Sequence, residues 1–294
     1  VLVREALGGG RHAVRGGHEA VPPPQVSLFG NQPLPGLQVR LQAHAQFARD
    51  DADLAQAAVQ FARCFHMHDE RFGIGRVYAL HNEPNRPLGE IGLRAGPLLA
   101  AVDDFTVTLH GRGGHAAYPQ ACVDPIPAVL QIGHGLQAIR ARHLDPLHPS
   151  VISLTVLSAG QAQNVIPETA RLGGTVRTLD EGIRQQIATD FRALVEATAD
   201  AFGLTAEIDY RFGYPVLAND PAETAFCAMV AADVVGPAAV AADREPEMGA
   251  EDFAYMLQAR PGAYVFLGTG PGSGLHTPQF DYNDEASPIG ASYF

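Results

Sequence analysis

The stretch "DDFTVTLHGRGGHAA", residues 103–117, alternates apolar and polar side chains and then breaks into a glycine-rich turn. Phe105, Val107 and Leu109 occupy every second position, which predicts a strand with one buried face. Residues 124–142 follow with prolines near their start and apolar residues at three- and four-residue spacing, a pattern typical of an amphipathic helix. This strand and this helix begin the most regular part of the sequence.

Four further elements complete a recognisable order. Residues 149–160 and 168–179 alternate as strands, residues 180–203 have helical periodicity and end on a glycine, and residues 205–215 alternate again. The order is β-α-β-β-α-β, which is the split βαβ arrangement of a ferredoxin-like domain. Beyond it, residues 220–236 and 249–260 are predicted to form helices and residues 262–268 a buried strand.

Composition limits the kind of protein and the kind of partner. A chain of 294 residues with 46% hydrophobic content can bury a large core, divided between two domains. The formal net charge of −12 argues against nucleic acid as a partner, because binding to phosphates needs clustered cations. No run reaches the roughly 18 apolar residues of a membrane span, and residues 1–10 lack the apolar core of a signal peptide. These features predict a cytoplasmic protein that acts on small molecules away from membranes.

The chain divides into segments of different character. Residues 1–70 are rich in Gly, Pro and Arg and are expected to be irregular, apart from a helix at about 51–65. The regular elements of residues 101–215 form one predicted domain, inserted into a second domain made of residues 71–100 and 216–294. The predicted fold class is therefore α/β, with a ferredoxin-like domain inserted into an α/β domain.

A series of short motifs then resembles one family of enzymes. In chain order they are "YALHNEP", "GRGGHAAYP", "VDPI", "NVIPETARLGGTVRT", "NDPAET", "MGAEDFAYML", "ARPGAYVFLGTG", "LHTPQFDYND" and "PIGASY". They resemble the metal-dependent amidohydrolases that include hippurate hydrolase, bacterial N-acyl-amino-acid amidohydrolases and plant indole-acetyl-amino-acid hydrolases. The resemblance runs from about residue 71 to the C-terminus, and residues 1–70 are expected not to match the family. Many short matches in register are far more specific than one.

The resemblance implies a function. It implies a catalytic α/β domain that holds a pair of divalent ions (Zn, Mn, Co or Ni) and a ferredoxin-like lid that closes over substrate and forms a homodimer. Such enzymes hydrolyse an N-acyl amide beside a free carboxylate, with a metal-bound water as nucleophile and a glutamate as general base. A peptidase acting on short peptides with a free carboxylate is the alternative within the same class.

Two histidines match metal ligands of the family. His81 follows an apolar strand, and His276 lies in "GLHTP". Both are expected to bind as neutral imidazoles whose second nitrogen is held by another acceptor. Taken without their motifs, isolated histidines are more often structural or surface residues.

The predicted lid supplies the other candidates. His115 matches the family's donor to the oxyanion, and Asn164 and Arg177 match groups that hold the substrate's carbonyl and carboxylate. Arginine suits a carboxylate because its planar fork can bind both oxygens; a turn-forming Asn and a solvated Arg are the alternatives. Glu251 and Asp252 could line the pocket or begin a helix as favourable charges.

Part of the family pattern is not found in the sequence. The family's remaining ligands lie in a Cys-Gly-His motif and a Glu-Glu pair that also supplies the general base, and neither motif occurs in residues 1–70. "CFHMHDE", residues 64–70, has a Cys-x-His spacing but lies too close to His81, so it is interpreted as a chance cluster with an improvised zinc site as the alternative. The catalytic domain is thus expected to be incomplete and activity impaired. The alternative is an inactive remnant that at most dimerises or binds carboxylates.

Overall fold

The computed structural model describes residues 2–4 and 73–294. The predicted helix at about 51–65 and the cluster "CFHMHDE" lie outside the described residues. The strands in chain order are β1 (Leu2–Arg4), β2 (Val77–Glu83), β3 (Ile91–Gly92), β4 (Gly96–Leu99), β5 (Ala101–His110), β6 (Gly114–His115), β7 (Ser150–Ala159), β8 (Val165–Ile166), β9 (Thr169–Thr178), β10 (Thr205–Phe212), β11 (Leu217–Asn219), β12 (Val240–Ala241) and β13 (Gly262–Gly268). The helices are α1 (Pro125–Ala138), α2 (Glu181–Ala201), α3 (Pro221–Val235), α4 (Ala254–Ala259) and α5 (Ala286–Tyr293).

Residues 101–215, called the lid, contain a sheet with the predicted ferredoxin-like order. Its four strands are arranged β10-β5-β9-β7, and every neighbouring pair is antiparallel. The helices α1 and α2 contact each other and the sheet, so the chain order β5-α1-β7-β9-α2-β10 is the expected β-α-β-β-α-β unit. The predicted α/β fold class with this inserted unit is confirmed.

Alternation along the strands decides which side of the lid sheet is buried. Val107 and Leu172 project from the central strands and are fully buried against Ile132 of α1 and Phe191 of α2. The polar side chains at the alternate positions face away from the helices. Residues 105–109 therefore carry the pattern that builds the core of the lid.

The helix ends differ modestly from the predictions. Asp124 caps α1 by accepting a hydrogen bond from the Ile126 amide at 2.9 Å. The α-helix ends at Ala138 and continues as one π-helical turn, Ile139–His143, so the predicted end at residue 142 falls inside that turn. The helix predicted over residues 249–260 is shortened to α4, which leaves Glu251 and Asp252 ahead of it.

The second sheet has the order β1-β2-β13-β3-β12. Its central strands β2 and β13 run parallel, so their carboxyl ends lie at the same edge. One cluster of buried residues packs α3 and α5 on this sheet, and another packs α4 and β11. Residues 1–70 were expected to be irregular, but β1 forms a strand that pairs antiparallel with β2. This pairing is possible because β2 would otherwise be an edge strand with unpaired backbone groups.

Two crossing segments connect the lid sheet with the second sheet. The Val102 amide donates to the Tyr214 carbonyl at 3.0 Å, and the Gly213 amide donates to the Val102 carbonyl at 2.9 Å. A buried ion pair lies at this crossing, where Arg184 donates to both carboxylate oxygens of Asp103 and to the Gly213 carbonyl. The domain boundaries at about residues 100 and 216 stay a prediction, although both fall beside this crossing.

Membrane association through a helix was not expected from the sequence. Within the described part of the chain, none of the helices combines the length and the apolar character that a bilayer crossing needs.

Candidate active site

His115 and Asn164 lie side by side on the lid. His115 belongs to β6, which pairs antiparallel with β8 so that His115 is opposite Val165. The Ala116 amide donates to the Asn164 carbonyl at 2.9 Å, which ties the two loops together directly. The structure therefore brings together two residues that the sequence placed 49 positions apart.

The ring of His115 has defined neighbours inside its own turn. The Ala117 amide donates to His115 Nδ1 at 3.1 Å. The Tyr118 ring packs beside the imidazole, with 5.6 Å between ring centroids and 59° between ring planes. The other ring nitrogen, Nε2, is the one available to a substrate, because Nδ1 already accepts a hydrogen bond.

Arg177 connects the lid with the segment that carries Glu251. It lies in β9 opposite Val102 and Val151, and its Nη1 donates to the Met248 carbonyl at 3.4 Å. A guanidinium has five donors, so this one contact leaves capacity for a carboxylate. Arg177 therefore lies at the boundary between the lid and the second sheet, where its remaining donors could bind a ligand.

Glu251 and Asp252 form a carboxylate pair at the same boundary. Tyr264 Oη donates to Glu251 Oε2 at 2.9 Å, and the Asp252 amide donates to Glu251 Oε1 at 3.1 Å. The pKa of Asp252 is raised to about 6. Burial is the largest cause, and the hydrogen bond with Glu251 and the negative charge of Glu251 add to it. Since α4 begins only at Ala254, Glu251 serves Tyr264 and not the helix N-terminus.

His81 lies in β2 with its ring against two aromatic side chains. Its Nδ1 is 2.7 Å from the Asn82 carbonyl oxygen, which can only accept, so Nδ1 carries the proton and Nε2 keeps its lone pair. The ring centroid is 6.2 Å from that of Tyr264 and 6.1 Å from that of Phe266. This is the arrangement that a metal-binding imidazole needs, with the second nitrogen held by a carbonyl.

Tyr264 is the site residue that the sequence analysis missed. Its ring packs on His81 while its hydroxyl holds Glu251, so it joins a predicted metal ligand to a predicted substrate-binding residue. Burial and the negative charge of Glu251 raise the pKa of the Tyr264 hydroxyl, which keeps it a donor. The available signal was its place in the apolar strand "GAYVFLG", where a buried tyrosine needs a hydrogen-bond partner.

His276 lies in the loop that follows β13. Its backbone has φ of 60°, in the left-handed region, and its side chain is exposed. The loop is tied back to the sheet where the Gly272 amide donates to Asn85 Oδ1 at 3.2 Å. Because β2 and β13 are parallel, this loop leaves the same edge of the sheet at which β2 ends, two residues after His81.

Glu83 is the acidic residue at the end of the strand that carries His81. Arg244 binds both of its oxygens, with Nη1 at 2.7 Å from Oε2 and Nη2 at 3.0 Å from Oε1. The same guanidinium lies 3.9 Å above the Phe266 ring centroid and is almost fully buried. Glu83 is therefore engaged in a structural ion pair and is a poor candidate for the general base.

His81 and His276 are the two predicted metal ligands among the described residues. His81 and His276 offer two imidazoles, a type of ligand that suits zinc and other divalent transition metals. In residues 73–294, no group of three or more His, Cys, Asp and Glu side chains is arranged to hold a metal ion. A complete metal pair would need ligands beyond this part of the chain.

Comparison with known proteins now identifies the family. Residues 40–294 match Peptidase family M20/M25/M40. The chain belongs to this family. Residues 40–70, upstream of the quoted motifs, lie within the match, whereas residues 1–39 lie outside it.

Relatives in the family include both deacetylases and peptidases. The chain is 39% identical over 226 residues to N-acetyl-L-cysteine deacetylase of Bacillus subtilis, covering 76% of this chain and 52% of the relative. It is 36% identical over 198 residues to thermostable carboxypeptidase 2 of Saccharolobus solfataricus, covering 67% of this chain and 49% of the relative. The chain spans about half the length of the curated relatives that it matches.

A solved structure has the same architecture. The YXEP protein of Bacillus subtilis, described as a dinuclear metal-binding peptidase of the M20 family, superimposes with a TM-score of 0.65 at 32% identity. The superposition covers 79% of this chain and 59% of that protein. The family assignment therefore rests on both sequence and fold, and the chain is by family a hydrolase.

Proposed function

We propose that the protein hydrolyses the amide bond of N-acyl-amino acids, with hippurate-like substrates as the preferred class. The observation that carries this proposal is the pairing of β6 with β8, which brings the backbones of His115 and Asn164 together at one turn of the lid. A donor and an amide at one turn suit the carbonyl of an N-acyl group, whose oxygen gains charge in the transition state.

Arg177 supports the carboxylate half of the same substrate. Its guanidinium lies beside the Met248 carbonyl, where β9 of the lid meets the segment before Glu251. Arg177 is opposite Val102 at the start of β5, whereas His115 and Asn164 lie beyond His110 at its other end. Because a strand rises about 3.3 Å per residue, a substrate with its carboxylate on Arg177 would meet His115 and Asn164 only from the lid of a second copy of the chain. A substrate without a carboxylate would lose the bidentate ion pair and bind more weakly.

A bound pair of divalent ions would supply a deprotonated water and polarise the amide carbonyl. His81 and His276 are the described residues that would hold them, and the hydrogen bond from His81 Nδ1 to the Asn82 carbonyl would fix that ring. The metals proposed are Zn, Mn, Co or Ni; the two imidazoles suit Zn and Ni, whereas Mn would depend more on oxygen ligands.

We further propose that residues 1–294 alone retain these ions weakly and turn over substrate slowly. Two imidazoles are a small ligand set for a metal pair, and the sequence contains no Glu-Glu pair. In the limiting case the chain would bind N-acyl-amino acids through its lid and release them unchanged.

A carboxypeptidase is the second candidate function. The similarity to thermostable carboxypeptidase 2 favours it, because a peptide also presents an amide beside a free carboxylate. The two functions differ in the group on the far side of the amide, which is an uncharged acyl group in one case and an amino-acid residue in the other.

We also propose that the lid forms a homodimer through β7. This strand is at the edge of the lid sheet and exposes Val151, Val156 and Leu157. An exposed apolar edge strand can pair with another copy of itself, which would cover both the apolar side chains and the unpaired backbone groups.

A binding panel tests the proposed substrate class without relying on turnover. Calorimetric titrations would compare N-benzoylglycine, N-methylbenzamide, which lacks the carboxylate, and glycylglycine, which lacks the acyl group. The expected affinity is highest for N-benzoylglycine, with the loss of the carboxylate costing about tenfold or more. Tighter binding of glycylglycine would favour the carboxypeptidase, and equal binding of all three would contradict both functions.

A further inference from the structure

The turn that carries His115 is anchored at its base and at its side. The Arg112 amide donates to the Val123 carbonyl at 3.0 Å and the Val123 amide donates back at 2.9 Å, which closes the loop at its base. The pairing of β6 with β8 fixes the side of the loop that faces Asn164. The loop therefore starts and ends on bonded backbone, as a rigid presenting element needs.

Close packing inside the loop supports the same conclusion. A Cβ atom at Gly114 would meet Cys122 Sγ at 2.7 Å, so the thiol fills the space that any larger residue at this position would need. The Tyr118 amide donates to the His115 carbonyl at 2.9 Å, which folds the chain into a tight turn directly after the histidine. The backbone on both sides of the imidazole is thus determined by contacts within the loop.

The decisive contact is the bond from the Ala117 amide to His115 Nδ1, at 3.1 Å. A backbone amide is always a donor, so Nδ1 must accept and cannot carry a proton while the bond is made. In a neutral imidazole, the proton then lies on Nε2.

We infer that the Ala117 amide holds His115 in the neutral tautomer that carries its proton on Nε2, which makes Ala117 a positioning residue for the lid's proposed donor. The functional importance of this tautomer rests on the proposed function, since His115 can donate to a substrate carbonyl only if the proton is on Nε2. The tautomer itself is a property of the free protein and needs neither metal nor substrate. His81 has the opposite assignment, with its proton on Nδ1 toward the Asn82 carbonyl, as a metal-binding ring requires.

Nitrogen NMR of the full chain with 15N-labelled histidine tests the inference directly. At about pH 8.5, two units above the ordinary histidine pKa of about 6.5, a free imidazole is neutral and exchanges between both tautomers. His115, assigned by the signal that disappears in His115→Gln, is expected to show protonated Nε2 and unprotonated Nδ1 without that averaging. The same chain unfolded in urea provides the reference for an unconstrained mixture.

Two variants with opposite effects on the amide make the test specific. Ala117→Pro removes the N–H, and Ala117→Gly keeps it while also removing the methyl group. The proline variant is expected to show the averaged mixture, whereas the glycine variant should keep the single tautomer. A scalar coupling across the hydrogen bond, between the Ala117 amide nitrogen and His115 Nδ1, should be visible in the unmodified chain. This coupling tests the hydrogen bond even if the proline variant does not fold.

Several outcomes would overturn the inference. They are a mixed or Nδ1-protonated His115 in the unmodified chain, a missing coupling to the Ala117 amide, or an unchanged single tautomer in Ala117→Pro. None of these outcomes depends on hydrolysis or on binding of N-benzoylglycine. A correct tautomer with no substrate binding would instead count against the proposed function alone.

Discussion

Among single residues, Arg177 is the one whose charge the proposed function uses most directly. Replacing it by methionine is expected to weaken binding of N-benzoylglycine by about 10- to 100-fold, because charge-assisted hydrogen bonds contribute about 1.5–3 kcal/mol. Arg177→Lys should retain part of the affinity, since it keeps the charge but not the planar fork. Isothermal titration calorimetry measures the effect.

The control for Arg177 is the ligand without a carboxylate. N-methylbenzamide should bind both variants about as well as it binds the unmodified chain. Equal losses for both ligands would mean that Arg177 acts by supporting the Met248 segment, to which it donates a hydrogen bond.

Asp252 makes the stability of the protein depend on pH. Its pKa is raised to about 6 in the folded chain, chiefly by burial, against about 3.9 in an unfolded chain. The folded state therefore binds more protons between those values, and stability falls as the pH rises from about 4 to about 6. Asp252→Asn removes this penalty, and we expect it to be more stable than the unmodified chain at pH 7 by about 1 kcal/mol after allowance for solvent screening.

Urea unfolding at two pH values checks the sign. The difference between Asp252→Asn and the unmodified chain should be present at pH 7 and nearly absent at pH 4. A difference of the same size at both values would mean that the asparagine changes packing and not ionisation.

At the scale of elements, the crossing between the two sheets depends on a buried ion pair. Asp103 and Arg184 have side chains that are 1% and 5% exposed, and Tyr210 also donates to the Asp103 carboxylate. Arg184→Met would leave that carboxylate buried without a cation, which is expected to cost about 3–5 kcal/mol of unfolding free energy. Urea denaturation followed by circular dichroism gives the value.

An exposed pair serves as the matched control. Arg211 and Asp209 are about half exposed, so Arg211→Met should change the unfolding free energy by about 1 kcal/mol or less. Similar losses in the two variants would show that burial does not set the strength of the Asp103–Arg184 interaction.

The regular elements of the lid were predictable, and the details that build the site were not. Alternation at Phe105, Val107 and Leu109 is a strong local signal, because each strand buries one face against α1 and α2. The β6–β8 pairing is two residues long on each side and depends on contacts far apart in sequence, which no local pattern encodes. The burial of Asp103 was equally hidden, since its partner Arg184 lies 81 positions away.

The candidate site shows the same division. His81, His115, Asn164 and Arg177 were identified through motifs, and their roles stay predictions. Their hydrogen bonds to Asn82, Ala117 and Met248, together with the support from Tyr264, required the fold.

At the scale of the whole molecule, the proposed homodimer makes a prediction about β7. Leu157 is 51% exposed on this edge strand, and Leu157→Lys would bury a charge in the proposed interface. The dissociation constant of the dimer should rise by about tenfold or more. Analytical ultracentrifugation measures it.

Leu147 provides the control for Leu157. It is 85% exposed in the connection before β7 and lies outside the strand, so Leu147→Lys should leave the dimer unchanged. A monomeric unmodified chain, or equal effects of both substitutions, would contradict an interface through β7.

Hydrolysis of N-benzoylglycine by the purified chain, measured together with its metal content by elemental analysis, tests the central proposal most directly. Because the described residues offer two candidate imidazoles, we predict substoichiometric metal and a slow release of benzoate that increases with added manganese or zinc and exceeds the cleavage of glycylglycine. A firmly retained metal pair, or faster cleavage of glycylglycine than of N-benzoylglycine, would contradict this account.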